Sequence, residues 1–124
     1  MNVVDSSGWL EYFSKGETAE FFSAAIQDTE NLLVPTISIY EVFKRMLIQL
    51  GEESALQSVG IMSLGITVDL TQEIAISAAK ISSDLKIAMA DSVILATARA
   101  YDATLWTQDV DFEGIEGVKF VRKN

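Results

Sequence analysis

The chain contains neither histidine nor cysteine, and these two absences exclude many kinds of active site. Without these residues there is no Ser-His-Asp triad, cysteine nucleophile, imidazole base, zinc finger or disulfide. If the protein is an enzyme, its reactive groups are carboxylates, hydroxyls or amines. Carboxylates are abundant, and their hard oxygen atoms suit Mg²⁺ or Mn²⁺.

Long apolar runs and a basic leader are also lacking. No apolar segment approaches the roughly 20 residues that span a bilayer, and no basic stretch precedes the first apolar residues. The absence of cysteine is compatible with a reducing compartment. We therefore expect a soluble cytoplasmic protein without a membrane partner.

The remaining composition is that of a globular protein. The chain has 124 residues, of which 49% are hydrophobic and 22% charged, with a single proline. This length is enough to bury a core, and no linker, repeat or low-complexity stretch interrupts it. We expect residues 1–124 to form one domain.

Short apolar segments alternate with amphipathic ones along the chain. The pattern predicts strands at residues 2–5, 32–35, 66–70, 104–107 and 118–121. It predicts helices at residues 6–13, 19–27, 38–51, 53–62, 72–85 and 89–101. Because such alternation implies right-handed crossovers, we predict an α/β fold, a three-layer α/β/α sandwich with a mainly parallel sheet.

Acidic residues occur where a parallel sheet of this kind binds ligands. Asp5 and Asp69 close predicted strands and Asp109 follows one, and ligands bind beyond the carboxyl ends of such strands. Glu41 and Asp91 lie in the predicted first turns of helices, and Asp91 stands in an otherwise apolar run. A carboxylate in such a run is costly to bury without a cation or hydrogen-bond donors.

Each of these acids also has a purely structural explanation. Glu41 fits a capping box with the serine three residues before it, and Asp5 fits a helix N-cap. Asp91 is favoured by the helix dipole, while Asp109 and Asp111 fit a turn. For each residue taken alone, the structural explanation and a catalytic role are both possible. Only the combination of residues distinguishes them.

In combination, four segments resemble the PIN-domain nucleases, and especially the VapC toxins of VapBC toxin–antitoxin pairs. The segments are Val3–Trp9, Ser38–Val42, Ala90–Ala98 and Leu105–Phe112. Each one is short and weak alone, but four in the right order make the resemblance specific. It implies a PIN-like fold over the whole chain.

The resemblance also implies a metal site at one end of the sheet. Four carboxylates would hold Mg²⁺ or Mn²⁺ and carry catalysis, namely Asp5, Glu41, Asp91 and Asp109. Ser7 and Thr107 would be hydroxyl neighbours that position a carboxylate or a water, and Asp111 would have a secondary role. The implied activity is that of an endoribonuclease, with Asp109 or Glu41 accepting the proton of water and a 5′-phosphate and a 3′-hydroxyl as products.

The net charge of −9, from 9 basic and 18 acidic residues, is unusual for an enzyme that acts on nucleic acid. Four basic residues are candidates to flank the pocket: Lys44, Arg45, Lys86 and Arg99. The acidity favours a basic protein partner. The resemblance identifies that partner as an antitoxin with a basic segment, and it also implies a homodimer.

Other functions remain open at this point. A PIN-like nuclease could act in RNA processing outside any toxin–antitoxin pair. A phosphoacceptor receiver domain has similar length, acidity and alternation, and would use Asp69 as acceptor with Lys119 as its partner. A catalytically silent scaffold is disfavoured, because Asp91 would then cost stability without a use.

Overall fold

Five short strands form one parallel sheet. In a computed structural model that covers residues 1–124, they are β1 (Asn2–Val4), β2 (Leu32–Pro35), β3 (Ile66–Val68), β4 (Thr104–Thr107) and β5 (Val118–Phe120). Their order across the sheet is β3-β2-β1-β4-β5, and every neighbouring pair is parallel. The N-terminal strand therefore lies at the centre of the sheet.

Six helices cover the two faces of this sheet. They are α1 (Ser6–Ser14), α2 (Ala19–Ile26), α3 (Thr36–Leu50), α4 (Glu52–Met62), α5 (Gln72–Leu85) and α6 (Met89–Ala100). Successive residues of a strand point to opposite faces, so Val3 packs in a core with α5 and α6. Val4 packs in a second core with α1 to α4. The predicted three-layer sandwich is confirmed.

The most buried helix is α6. All seven residues from Ser92 to Ala98 are buried, as the apolar run in the sequence predicts. The buried hydroxyl of Thr97 donates to the carbonyl of Val93 at 2.7 Å, so it does not lack a partner. This helix is therefore a fixed support for Asp91 in its first turn.

The start of α3 differs from the prediction. Pro35 ends β2 in an extended conformation and α3 begins at Thr36, directly after the strand. Ser38 consequently lies inside the helix, where it is fully buried. Its hydroxyl has no hydrogen-bond partner, and Glu41 bonds elsewhere. The predicted capping box is therefore wrong.

Smaller differences concern the ends of elements. The third strand ends at Val68 and leaves Asp69 exposed, and the fifth strand ends at Phe120. Two short 3-10 helices, Thr29–Asn31 and Val110–Phe112, were not predicted. None of the helices combines the length and the apolar character that crossing a membrane requires.

Candidate active site

The acidic cavity lies at the carboxyl ends of the two central strands. Val4 pairs with Trp106 across β1 and β4, so the chain beyond each strand emerges at the same edge of the sheet. A cavity of about 470 Å³ opens there. All four carboxylates predicted as ligands line it, namely Asp5, Glu41, Asp91 and Asp109. The structure thus brings together residues from four distant segments.

Asp5 is held by two hydroxyl groups. Its Oδ2 accepts hydrogen bonds from Ser7 Oγ at 3.0 Å and from Thr107 Oγ1 at 2.8 Å. Asp5 occupies the N-cap position of α1 but makes no side-chain capping bond, so the capping explanation is wrong. The carboxylate is only 3% exposed, and the two donors fix its orientation toward the cavity.

Glu41 is held by a residue that the sequence analysis did not assign to the site. Ser6 Oγ donates to Glu41 Oε1 at 2.7 Å, across 35 residues of chain. Because α3 begins at Thr36, Glu41 is its sixth residue and lies in the second turn, one turn later than predicted. Only the position of Ser6, directly after Asp5, could have indicated this contact.

Asp109 and Asp111 belong to one short turn. Asp109 Oδ1 accepts the backbone N–H of Asp111 at 2.9 Å, which caps the 3-10 helix Val110–Phe112. The N–H of Asp109 donates to Thr107 Oγ1 at 3.0 Å. The hydroxyl of Thr107 therefore links this turn to Asp5. The turn explanation for Asp109 and Asp111 is correct, and it coexists with a place on the cavity for Asp109.

Three carboxylates form a close group at the site. Oxygen atoms of Asp91, Asp109 and Asp111 all lie within 4.8 Å of one another, although Asp111 is exposed. Asp5 and Glu41 line the cavity outside this group. Asp111, for which only a secondary role was predicted, therefore belongs to the same close group as Asp91 and Asp109.

The pKa of Asp91 is raised to about 7. Burial of the half-buried carboxyl is the largest cause, followed by the charges of Asp5, Asp109, Glu41 and Asp111. Burial also raises the pKa of Asp5, against the hydrogen bonds from Thr107 and Ser7 that lower it. Repulsion between like charges acts on both residues, but desolvation is the largest single cause at each of them.

No basic side chain neutralises these acids. The two ion pairs of the molecule, Arg122 with Glu113 and Lys123 with Glu11, involve none of them. Of the four basic residues expected to flank the pocket, Lys44 and Arg45 do line the cavity. Lys86 follows the C-terminus of α5 and Arg99 lines a different cavity, so the expectation for these two is wrong.

The donor set fits a hard divalent cation. Every candidate ligand is a carboxylate, the group that Mg²⁺ and Mn²⁺ prefer. Two oxygens on opposite sides of Mg²⁺ lie about 4.2 Å apart, since each bond is about 2.1 Å long. The spacing of up to 4.8 Å in the Asp91 group is therefore close to what such an ion requires.

The strand order excludes the receiver-domain alternative. Receivers have the order 2-1-3-4-5, whereas the order here is β3-β2-β1-β4-β5. Asp69, the acceptor in that alternative, is exposed beside the edge strand β3. Lys119, its partner, instead places its ammonium 4.1 Å from the ring centroid of Trp106.

Comparison with known protein families gives one match over nearly the whole chain. A family model described as PIN domain matches residues 3–118. No curated protein sequence matches the chain.

Solved structures with the same architecture include several toxin–antitoxin proteins. A toxin–antitoxin complex from Klebsiella pneumoniae aligns with a TM-score of 0.81 at 23% identity, covering 96% of this chain and 96% of that one. VapC20 from Mycobacterium tuberculosis, a toxin that cleaves the sarcin-ricin loop, aligns with a TM-score of 0.77 at 12% identity, covering 94% and 95%. VapBC2 from Rickettsia felis, bound to promoter DNA, gives 0.76 at 15%, covering 98% and 97%. At these identities the similarity establishes the fold.

Proposed function

The chain belongs to the PIN domain family, and on this premise we propose that it is a Mg²⁺- or Mn²⁺-dependent endoribonuclease and the toxin of a toxin–antitoxin pair. The proposal treats residues 1–124 as one nuclease domain. Its site residues are Asp5, Glu41, Asp91 and Asp109, with Ser7 and Thr107 as positioning hydroxyls and Asp111 as a secondary acid.

One observation carries this proposal. Four carboxylates from distant parts of the chain line one cavity, and no lysine or arginine pairs with them. Such an arrangement destabilises the fold unless something else supplies positive charge. A divalent cation would supply it, and these oxygen ligands are the kind that it prefers.

The side chains of the site have separate tasks in phosphodiester hydrolysis. A bound divalent cation would stabilise negative charge that develops on the phosphate and would make a water molecule more acidic. Ser7 and Thr107 hold the carboxylate of Asp5 in one orientation, and Ser6 does the same for Glu41. Asp109 or Glu41 accepts the proton of the attacking water. The products are a 5′-phosphate and a 3′-hydroxyl.

The proposal includes an antitoxin with a basic segment as the partner. The structural relatives include VapBC and FitAB complexes, and the uncompensated acids at the cavity suit an arginine or a lysine. We also propose that the protein is a homodimer and that it is cytoplasmic, where it would encounter RNA. An RNA-processing nuclease outside such a pair would use the same site, and an adjacent reading frame for a small basic protein distinguishes the two.

The test is metal-dependent cleavage of single-stranded RNA by the purified protein. Cleavage should occur with Mg²⁺ or Mn²⁺ and stop when the ion is chelated, because the chain has no imidazole base and the carboxylates act on a water that the cation makes more acidic. Calorimetric titration of Mn²⁺ into the folded protein gives a second readout that needs no activity. Undiminished cleavage in excess chelator would refute the mechanism.

A further inference from the structure

A second group of side chains borders the acidic cavity, on the exposed surface of α3. We name it the α3 face, and it consists of Tyr40, Lys44, Arg45 and Ile48. Three of these residues are four positions apart, so they lie on one side of the helix. Arg45 stands four positions after Glu41 and follows the same line away from the acids. The cavity thus passes from negative to positive charge along a single helix.

The two cations of the α3 face are free to meet an anion. Lys44 and Arg45 are exposed, and neither lies within 4.0 Å of a carboxylate, although four acids line the same cavity. They therefore form no ion pair with the acids of the site. The nearest specific contact of Lys44 is the ring of Tyr40, 5.8 Å from its ammonium to the ring centroid.

Tyr40 and Ile48 of the α3 face are largely exposed to solvent. Tyr40 is 60% exposed and Ile48 is 71% exposed, so neither contributes much to the core. An exposed aromatic ring beside two unpaired cations is the combination that binds single-stranded nucleic acid, where the ring stacks on a base and the cations meet phosphates. A duplex does not offer its bases in this way, because they are already stacked and paired.

We propose that the α3 face binds the nucleotides next to the scissile phosphate of a single-stranded RNA, with Tyr40 stacked on an unpaired base and Lys44 and Arg45 on neighbouring phosphates. The inference rests on the proposed function and deepens it by naming where this RNA binds. It also explains how a chain with a net charge of −9 holds an anionic substrate. The attraction is concentrated on one helix beside the site.

Binding is tested in the Asp91→Asn background, where cleavage should be slow, with Mg²⁺ and a labelled single-stranded RNA of about 12 nucleotides. Lys44→Gln and Arg45→Gln should each reduce the slope of log K against log salt by about 0.7, the value for one phosphate contact on a single strand. The matched control is Lys80→Gln, an equal loss of charge at an exposed position of α5 on the opposite face of the sheet. It should leave the slope unchanged.

The ring of Tyr40 is tested separately. Tyr40→Ala should weaken binding by about fivefold to a hundredfold, the range for one stacked base, while Tyr40→Phe should bind like the parent protein. A fully paired duplex of the same sequence should bind less tightly and respond little to Tyr40→Ala.

The experiments distinguish failure of this inference from failure of the proposed function. If the wild-type protein cleaves RNA but the α3-face variants bind it like Lys80→Gln, the inference is wrong and the proposed function stands. The face would then be left to a protein partner. If the wild-type protein does not cleave RNA with either metal ion, the proposed function itself fails.

Discussion

The carboxylates of the cavity differ in how firmly the protein holds them. Asp5 has two hydroxyl donors and is buried, Glu41 has one donor, and Asp109 accepts a backbone N–H. Asp91 has no donor, and its pKa is raised to about 7. Its charge at neutral pH therefore depends on whether a cation is bound.

Replacement of each acid by its amide tests this assignment. Asp5→Asn, Glu41→Gln, Asp91→Asn and Asp109→Asn should each lower kcat for RNA cleavage at least about a hundredfold, as loss of a group that stabilises transition-state charge does. Asp69→Asn, at an exposed position beside β3, is the matched control and should retain activity.

Asp111 is the residue on which sequence and geometry differ most. Its secondary role predicts that Asp111→Asn keeps much more activity than Asp109→Asn, yet its oxygen lies in the close group with Asp91 and Asp109. Equal loss of activity in the two variants would make Asp111 a ligand in its own right.

The raised pKa of Asp91 makes the stability of the metal-free protein depend on pH. The pKa rises from 3.8 in the unfolded chain to about 7 in the folded one, so the folded state binds more protons between these values. The contribution of this group to stability should therefore be greatest below about pH 4 and should fall as pH rises to about 7. Thermal unfolding in chelator across this pH range measures the effect.

Asp91→Asn should remove the share of that pH dependence that comes from Asp91 and leave the share that comes from the raised pKa of Asp5. Without metal at pH 7 the variant should have a higher Tm than the wild-type protein, because the buried charge is gone. It should also lose most of the increase in Tm that Mg²⁺ or Mn²⁺ gives by binding the folded state. A lower Tm with an undiminished metal response would show that Asp91 is only a helix-terminal structural residue.

Two helical glycines differ in how closely other elements pack against them. Gly8 in α1 approaches its neighbours so closely that a Cβ would lie 2.6 Å from the ring of Phe22 and 2.8 Å from Val4 Cγ1. Gly60 in α4 has nothing within 4 Å of the same position. Both glycines lower helix propensity, but only Gly8 is required by packing.

Alanine at these two positions should act in opposite directions. Gly8→Ala should lower the free energy of unfolding by about 1 to 3 kcal/mol, the usual cost of overpacking a core. Gly60→Ala should raise it by up to about 1 kcal/mol through helix propensity alone. Urea unfolding midpoints compare them, and a stabilised Gly8→Ala would mean that α1 and α2 move apart easily.

The elements themselves were largely predictable, because hydrophobic periodicity is a local property of sequence. Their ends were not, and α3 is the clearest case. A serine and a glutamate three residues apart indicate a helix start at Ser38, but Pro35 already ends the strand and the helix begins at Thr36. The bond from Ser6 to Glu41 could not be predicted, since it joins residues that only the folded sheet brings together.

The net charge of the molecule affects its association with other macromolecules. With a net charge of −9 it attracts a basic partner over distances comparable to the screening length, about 8 Å at 0.15 M salt. We therefore expect affinity for the proposed antitoxin to fall as salt is raised, measured by titration at several ionic strengths. An affinity that ignores salt would instead indicate an apolar interface.

The order of the strands in the sheet could not be predicted from the sequence, although the positions of the strands could. Alternating strands and helices fit both the receiver order and the one observed, and nothing in a single strand records its neighbour. In the observed order, β1 lies between β2 and β4. With that order Asp5 and Asp109 meet at one edge, and Asp69 is left two strands away from β1.

The central position of β1 in the sheet also determines the stage of synthesis at which the site can form. Its neighbour β4 pairs Thr104 with Asn2, so β1 gains its second neighbour only after Thr104 has been synthesised. A nascent chain that has emerged only as far as Ala100 already carries three of the four acids, yet it has neither Thr107 to hold Asp5 nor the turn that carries Asp109. Such long-range closure folds slowly. During synthesis the proposed nuclease would therefore stay inert on the ribosome until its last strands are released.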